Sequence, residues 1–214
     1  MEQDYQAERE QMIANQIARR GISDERVLTA MRSVPRHLFV PEGSRELAYR
    51  DGPIRIGDGQ TISQPYIVAL MTVLLKVKAG QKVLDVGTGS GYQAAILGEM
   101  GADVCTIERH PKLAKRAEKL LNDLGYQNIK VFTGDGTRGL DEFAPYDRIL
   151  VAAAAPSVPD PLLDQLADGG RLVIPVGGRF GQTLEIWVKQ EGGIHRIQDI
   201  GVMFVPLKGE QGWS

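Results

Sequence analysis

The apolar positions of this chain change their spacing several times, and each change predicts a different kind of element. Up to residue 34 they recur at helical intervals, with Met12, Ile13 and Ile17 on one face and then Val27, Leu28 and Met31 on another. Ser23 reads as the N-cap of the second helix, Asp24 and Glu25 suit the positive end of its dipole, and Pro35 stops it. Residues 36–64 are rich in Gly and Pro and show little periodicity, which predicts a long ordered loop over the main domain. A loop of that length in a compact domain points to a binding surface or lid. From Pro65, a residue suited to a first helical turn, Ile67, Val68, Met71, Leu74 and Leu75 form a helical stripe.

Beyond that stripe, short apolar strands alternate with amphipathic helices. The pattern predicts strands at 83–86, 104–107, 129–132, 148–152 and 171–176, and helices at about 92–100, 111–124 and 159–166. Such an alternation means a parallel sheet covered on both faces, a doubly wound α/β fold. After Gly177 the period becomes two, with Leu184, Ile186 and Val188 on one face and Thr183, Glu185 and Lys189 between them. Segments 194–200 and 202–205 continue in the same manner, so the sheet is expected to end in antiparallel strands. A chain of 214 residues supports one sizeable core. Residues 1–64 are therefore expected to form N-terminal helices and a covering loop, integrated with the sheet domain over 65–214.

Composition narrows the classes of function. Lys plus Arg (25) nearly balance Asp plus Glu (27) without a dense basic run, so the electrostatic footprint of a nucleic-acid binder is missing. Residues 1–5 lack the basic and apolar regions of an export signal, and no apolar run approaches membrane-spanning length. A cytoplasmic protein with no membrane partner is expected. The single cysteine, Cys105, lies in an apolar strand, which rules out an internal disulfide and, without a nearby histidine cluster, argues against a metal site.

The chemistry concentrates at the loop after the first parallel strand, Gly87-Thr88-Gly89-Ser90-Gly91. Ligands of open parallel sheets bind beyond the carboxyl ends of the strands, and glycines let the chain turn sharply and lie flat against a nucleotide. A dinucleotide fingerprint, G-x-G-x-x-G, would need glycine where Tyr92 stands. With G-x-G-x-G the turn instead resembles the nucleoside-binding turn of class I methyltransferases, which use S-adenosylmethionine. In that resemblance Asp85 orients the loop and contacts the amino-acid end of the cofactor through water. Glu108 ends the second strand 21 residues after Gly87, where a carboxylate can accept both ribose hydroxyls. Asp135, in Gly134-Asp135-Gly136 after the third strand, is placed to accept a hydrogen bond from an adenine amino group. Its alternative is an ordinary Asp-Gly turn. The cofactor-binding candidates are thus Asp85, Gly87, Thr88, Gly89, Gly91, Glu108, Arg109, Asp135 and Gly136.

Flanking segments narrow the resemblance further. Gly59-Gln60-Thr61-Ile62-Ser63-Gln64-Pro65, the glycine turn, and Tyr146 through Ala152-Ala153-Ala154-Ala155-Pro156 together resemble the protein-L-isoaspartate O-methyltransferases. Val34-Pro35-Arg36-His37-Leu38-Phe39-Val40-Pro41, the run from Leu166 to Gly177, and Val205-Pro206-Leu207 extend the similarity over almost the whole chain. The resemblance implies methyl transfer to the α-carboxylate of L-isoaspartyl residues in damaged proteins and peptides, with S-adenosyl-L-homocysteine as product. A carboxylate with a pKa near ~4 is ionised at neutral pH and needs no general base, so the lack of an evident catalytic dyad is consistent. Ser63 resembles the family's active-site serine, whose hydroxyl orients the substrate carboxylate. It also suits the N-cap of the helix entered at Pro65. Thr61 and Ile62 are expected to line the same pocket, and Tyr66 stands where some branches of the family carry histidine. Val205 lies in the segment 202–207, which would offer either a backbone edge to an extended peptide or a buried edge strand. None of His37, His110 and His195 is assigned to catalysis, and a monomer is expected. The rivals are a class I methyltransferase acting on a small molecule or RNA, a dinucleotide-dependent oxidoreductase disfavoured by Tyr92, and a non-catalytic cofactor sensor disfavoured by the intact Ser63 segment.

Overall fold

A computed structural model describes residues 4–178 and 181–213, leaving aside the side chains of residues 198 and 199. Residues 1–3, the start of the segment read for an export signal, and residue 214 lie outside the described residues. Helix α1 (Tyr5–Met12) is capped by the Asp4 carboxylate and runs on through a π turn (Ile13–Ile17) into a 3₁₀ turn, burying Met12, Ile13 and Ile17. Helix α2 (Glu25–Ser33) starts one residue later than the sequence suggests. Its cap is Asp24, not Ser23, because the Asp24 carboxylate accepts from the Arg26 amide (3.0 Å) and also pairs with the Arg26 guanidinium.

The 36–64 region departs most from expectation. It is not an irregular loop: it holds 3₁₀ turns at Arg36–Phe39 and Glu42–Leu47 and an antiparallel hairpin of β1 (Ile54–Gly57) and β2 (Gln60–Ile62). Strands of four and three residues, burying only Ile56 and Ile62, are too short to write a period into the sequence.

Helix α3 (Pro65–Leu75) then leads into the sheet. Its strands are β3 (Lys82–Val86), β4 (Asp103–Glu108), β5 (Ile129–Thr133), β6 (Tyr146–Val151), β7 (Leu166–Gly178), β8 (Gly181–Gln190) and β9 (Gly193–Val202). The intervening helices are α4 (Tyr92–Glu99), α5 (Pro111–Asp123) and α6 (Asp160–Asp164), the last shorter than its apolar pattern suggests. The order across the sheet is β5-β4-β3-β6-β7-β8-β9; the pairs through β7 are parallel and the last two antiparallel. Chain order runs outward from β3 in both directions, so the loops after β3 and β6 meet at a topological switch point. Residues 203–205, expected as strand, leave the sheet. The Phe204 amide donates to the Gln182 side chain (2.7 Å), while Val205 and Leu207 bond to the backbone of Ala154.

The period of two along β3 sends Val83 to one face of the sheet and Leu84 and Val86 to the other. On the first face Met12, Ile17, Val27 and Met31 pack in one continuous core with Val68, Met71, Tyr92 and Ile96. That core crosses residue 64 without a break, so the N-terminal helices are a layer of the same body.

Candidate active site

The switch point is the floor of a cleft of about 910 Å³, counting the solvent-open space at its mouth, between the ends of β3, β4 and β6 and the covering hairpin. Gly87, Gly89 and Gly91 all have positive φ (96°, 53° and 89°), a conformation L side chains resist. Gly87 through Ser90 line the cleft, while Gly91 faces away, against Ala117 and Leu121 of α5. At the next position Tyr92 is buried, so the first turn of α4 presents an aromatic ring where a dinucleotide turn has glycine.

Three groups hold this turn. The Thr106 hydroxyl donates to Asp85 Oδ2 (2.8 Å) and meets the Thr88 hydroxyl at 2.6 Å, a relay from the strand into the turn. Glu108 accepts from the Gly89 amide (2.8 Å) and from the His110 amide (2.9 Å), which fixes its carboxylate on the cleft wall. Asp85 itself is fully buried, and its Oδ1 has no hydrogen-bond partner among the described residues. Burial pushes its pKa up to about 7 against the Thr106 hydrogen bond, and the nearby Glu108 charge adds to the rise.

The third loop is arranged differently from the sequence expectation. Asp135 does not line the cleft. Its Oδ1 accepts from the amide and hydroxyl of Thr137 (2.9 and 2.8 Å) and its Oδ2 from the Glu210 amide (2.8 Å). Burial pushes this carboxyl up, but those hydrogen bonds prevail and hold it below the usual carboxylate range. Gly136 does line the cleft, and a Cβ there would lie 2.5 Å from Val86 Cγ1. The C-terminal segment is thus tied down beside the third loop, and Pro206, Leu207 and Lys208 complete the cleft wall.

Ser63 marks the other boundary. Together with Thr61, Ala152 and Val205 it lines both the cleft and an adjoining groove of about 1460 Å³, which runs past Gln64, Ile67, Met203 and Phe204. Ile62 lines the cleft only. The cap position of α3 is Gln64, without a side-chain hydrogen bond, so Ser63 is not the helix cap, and its hydroxyl takes no protein partner among the described residues. Its carbonyl accepts from Arg36 Nη2 (2.7 Å). Arg20 bridges from the N-terminal layer, pairing with Asp51 and lying 5.0 Å from the centre of the Tyr66 ring, and Gln64 donates to Asp51 (2.7 Å).

Several lining residues carry no signal in the sequence. Met71 belongs to an apolar helical stripe, Gln93 lies within a helix, and Pro206 and Lys208 reach the cleft because their segment folds back on Ala154. His110, which the sequence did not assign to catalysis, lines the cleft next to Arg109. His37 packs instead against Tyr5, with ring centroids 3.9 Å apart, and its Nδ1 lies 2.8 Å from the Tyr49 hydroxyl. Burial lowers its pKa.

A nucleoside carrying a ribose diol fits this turn and its carboxylate. The flat glycine turn and the Glu108 carboxylate are complementary to such a ligand, whereas Asp85, expected at the cofactor, lies fully buried behind the turn and does not line the cleft. The sequence model of the protein-L-isoaspartate(D-aspartate) O-methyltransferases matches residues 7–212. The chain belongs to that family. It is 55% identical over 207 residues to a protein-L-isoaspartate O-methyltransferase of Methanoculleus marisnigri, covering 97% of this chain and 94% of that one. It is 53% identical over 210 residues to protein-L-isoaspartate O-methyltransferase 1 of Syntrophobacter fumaroxidans, covering 98% of each. The fold is similar to a solved protein-L-isoaspartate O-methyltransferase with a TM-score of 0.86 and 28% identity, over 95% of this chain and 67% of that one. It is also similar to the Plasmodium falciparum crystal structure assigned to the same activity, in complex with S-adenosyl-L-homocysteine. There the TM-score is 0.80 at 29% identity, over 97% and 99% of the two chains. Among the described residues no helix is long and apolar enough to cross a membrane, and no cluster of His, Cys, Asp and Glu is placed to hold a metal ion.

Proposed function

We propose that this chain methylates the α-carboxylate of L-isoaspartyl residues in damaged proteins and peptides, with S-adenosylmethionine as methyl donor. The observation that carries the reading is Ser63: a hydroxyl without a protein partner among the described residues, on the wall shared by the glycine-turn cleft and a second, more apolar groove. Bound in the cleft, S-adenosylmethionine supplies a methyl group made electrophilic by its sulfonium. Glu108 accepts the ribose hydroxyls, the Gly87–Gly89 backbone lies along the nucleoside, and Gly136 and Arg109 flank it. Asp85 acts from behind, holding Thr88 through Thr106. Asp135 steadies the third loop and the C-terminal segment and so shapes the adenine end.

The substrate group is ionised at neutral pH and brings its own nucleophilic oxygen, so the protein's work is alignment and exclusion of water. Ser63 donates to the substrate carboxylate and orients it. Thr61, Ile62 and Val205 bound the pocket, with the peptide extended along the groove. Val205 and Leu207 already use backbone groups on Ala154, so the peptide is held by the groove walls rather than by a free strand edge at those two positions. The setting that best fits this reading is a cytoplasmic monomer, with Cys105 buried as a packing residue.

Labelled methyl from S-adenosylmethionine should enter an isoaspartyl peptide and not the same peptide with normal aspartate, as read by base-labile radioactivity. Equal labelling of both peptides overturns the substrate assignment.

A further inference from the structure

Arg36 is fully buried, and no ion pair among the described residues includes it. Burying a cation without a counter-charge is costly, and an apolar side chain of similar volume would fill the same space at lower cost. Packing alone therefore does not account for an arginine here.

Its contacts define a different task. Nε donates to the carbonyl of Ala48 and Nη2 to the carbonyl of Ser63, both at 2.7 Å, while the guanidinium lies 4.9 Å from the centre of the Tyr92 ring. Residues 48 and 63 are the two ends of the segment that contains the β1–β2 hairpin, and Tyr92 lines the cofactor cleft. One planar group thus closes the neck of the covering segment and seats it on the cleft wall. The neighbouring rung is parallel in kind: His37, next to Arg36, meets the hydroxyl of Tyr49, next to Ala48. Two parallel donors and a flat stacking face are properties of guanidinium that an ammonium lacks.

Resting on the methyl-transfer reading above, we propose that Arg36 is a positioning residue for that reaction: it clamps the covering segment at Ala48 and Ser63 and thereby fixes the Ser63 hydroxyl between cofactor and substrate.

The test is a double-mutant cycle of Arg36→Lys with Ser63→Ala, read with an isoaspartyl peptide. Arg36→Lys keeps the charge and loses the fork. It should lower kcat at least tenfold while the dissociation constant of S-adenosyl-L-homocysteine stays within about twofold, and it should cost less than about twofold more when Ser63 is already Ala. Equal losses in both backgrounds, or cofactor affinity falling in step with kcat, overturn the proposal. If Ser63→Ala leaves no measurable turnover, the split between kcat and cofactor affinity in the single variant decides by the same criteria. If the Lys variant does not fold, Arg36→Met takes its place, and failure of both to fold assigns Arg36 to the core and overturns the clamp. An unaltered chain inactive on the peptide rejects the methyl-transfer reading instead. The clamp alone is then tested by amide exchange over residues 61–64, faster in Arg36→Lys if it holds and unchanged if it does not.

Discussion

The proposed cofactor wall and the proposed substrate wall meet at Ser63 but are built from different material. Gly87–Ser90 and Glu108 sit at the ends of neighbouring parallel strands, in a register that sets Asp85 beside Thr106. Thr61, Ser63 and Val205 come from a hairpin end and from a C-terminal segment that has left the sheet, and they are held there by Arg36 and Ala154. The first wall inherits its geometry from the sheet and offers backbone groups and carboxylates suited to a fixed ligand. The second depends on contacts between residues far apart in the chain, and it borders the wider and more apolar groove, as acceptance of many peptide sequences requires. Damage to the first should therefore appear in cofactor affinity or stability, and damage to the second in turnover.

The largest effect is expected at Asp85. Its folded-state pKa is raised from 3.8 to about 7, so the native state holds a proton that the unfolded chain releases. Its contribution favours folding below about pH 4, is lost as pH rises from about 4 to about 7, and is flat above that. Asp85→Asn, which needs no ionisation, should remove that decline and raise stability by a few kcal/mol at pH 8, measured by urea unfolding of both proteins at pH 5 and pH 8. Parallel pH profiles for the two would show that the buried carboxyl is not strained by its charge.

Gly136→Ala comes next. A methyl group 2.5 Å from Val86 Cγ1 must displace either the end of β3 or the third loop, at about 2 kcal/mol, and the cofactor dissociation constant should rise at least tenfold in calorimetry. Ser63→Ala removes a donor to a charged group, worth about 1.5–3 kcal/mol, and should lower kcat/KM for the peptide tenfold or more with cofactor binding unchanged. Loss of cofactor affinity in that variant would erase the distinction between the walls. Glu108→Gln keeps the shape and loses the charge, so cofactor affinity should fall by about tenfold while kcat at saturating cofactor is retained. Asp24→Ala, remote from both walls, should cost about 1 kcal/mol and lower Tm by about 2–4 °C without touching either kinetic constant.

The asymmetry between the walls also explains which of them was legible. Along the cofactor wall, apolar strands ending in glycines or a carboxylate are local patterns, so Gly87, Gly89 and Glu108 are found at the cleft from sequence alone. The partners of Asp135 were not legible, because a carboxylate in an Asp-Gly turn reads the same whether it faces a ligand or bonds, as here, to the amide of Glu210, seventy-five residues away. The hairpin at 54–62 left no period to read, because its stability comes from Ile56 and Ile62 packing into a distant core and from Arg116, which donates to the Ile56 carbonyl (2.9 Å). Ser63 was found through its segment, but the choice between helix cap and free hydroxyl was not, since both roles use the same residue at the same spacing.

By itself, the sequence determined the alternation of strands and helices, the place of the glycine turn and the family, because each is written in residues close together or in a recurring period. Tertiary structure alone decided that Arg36 reaches Ser63, that Lys208 joins the cleft, and that Asp85 lies buried with one oxygen unpaired among the described residues. Those outcomes depend on which distant segments share a volume from which water is excluded, and burial and pairing at a point in space have no local signature in a chain.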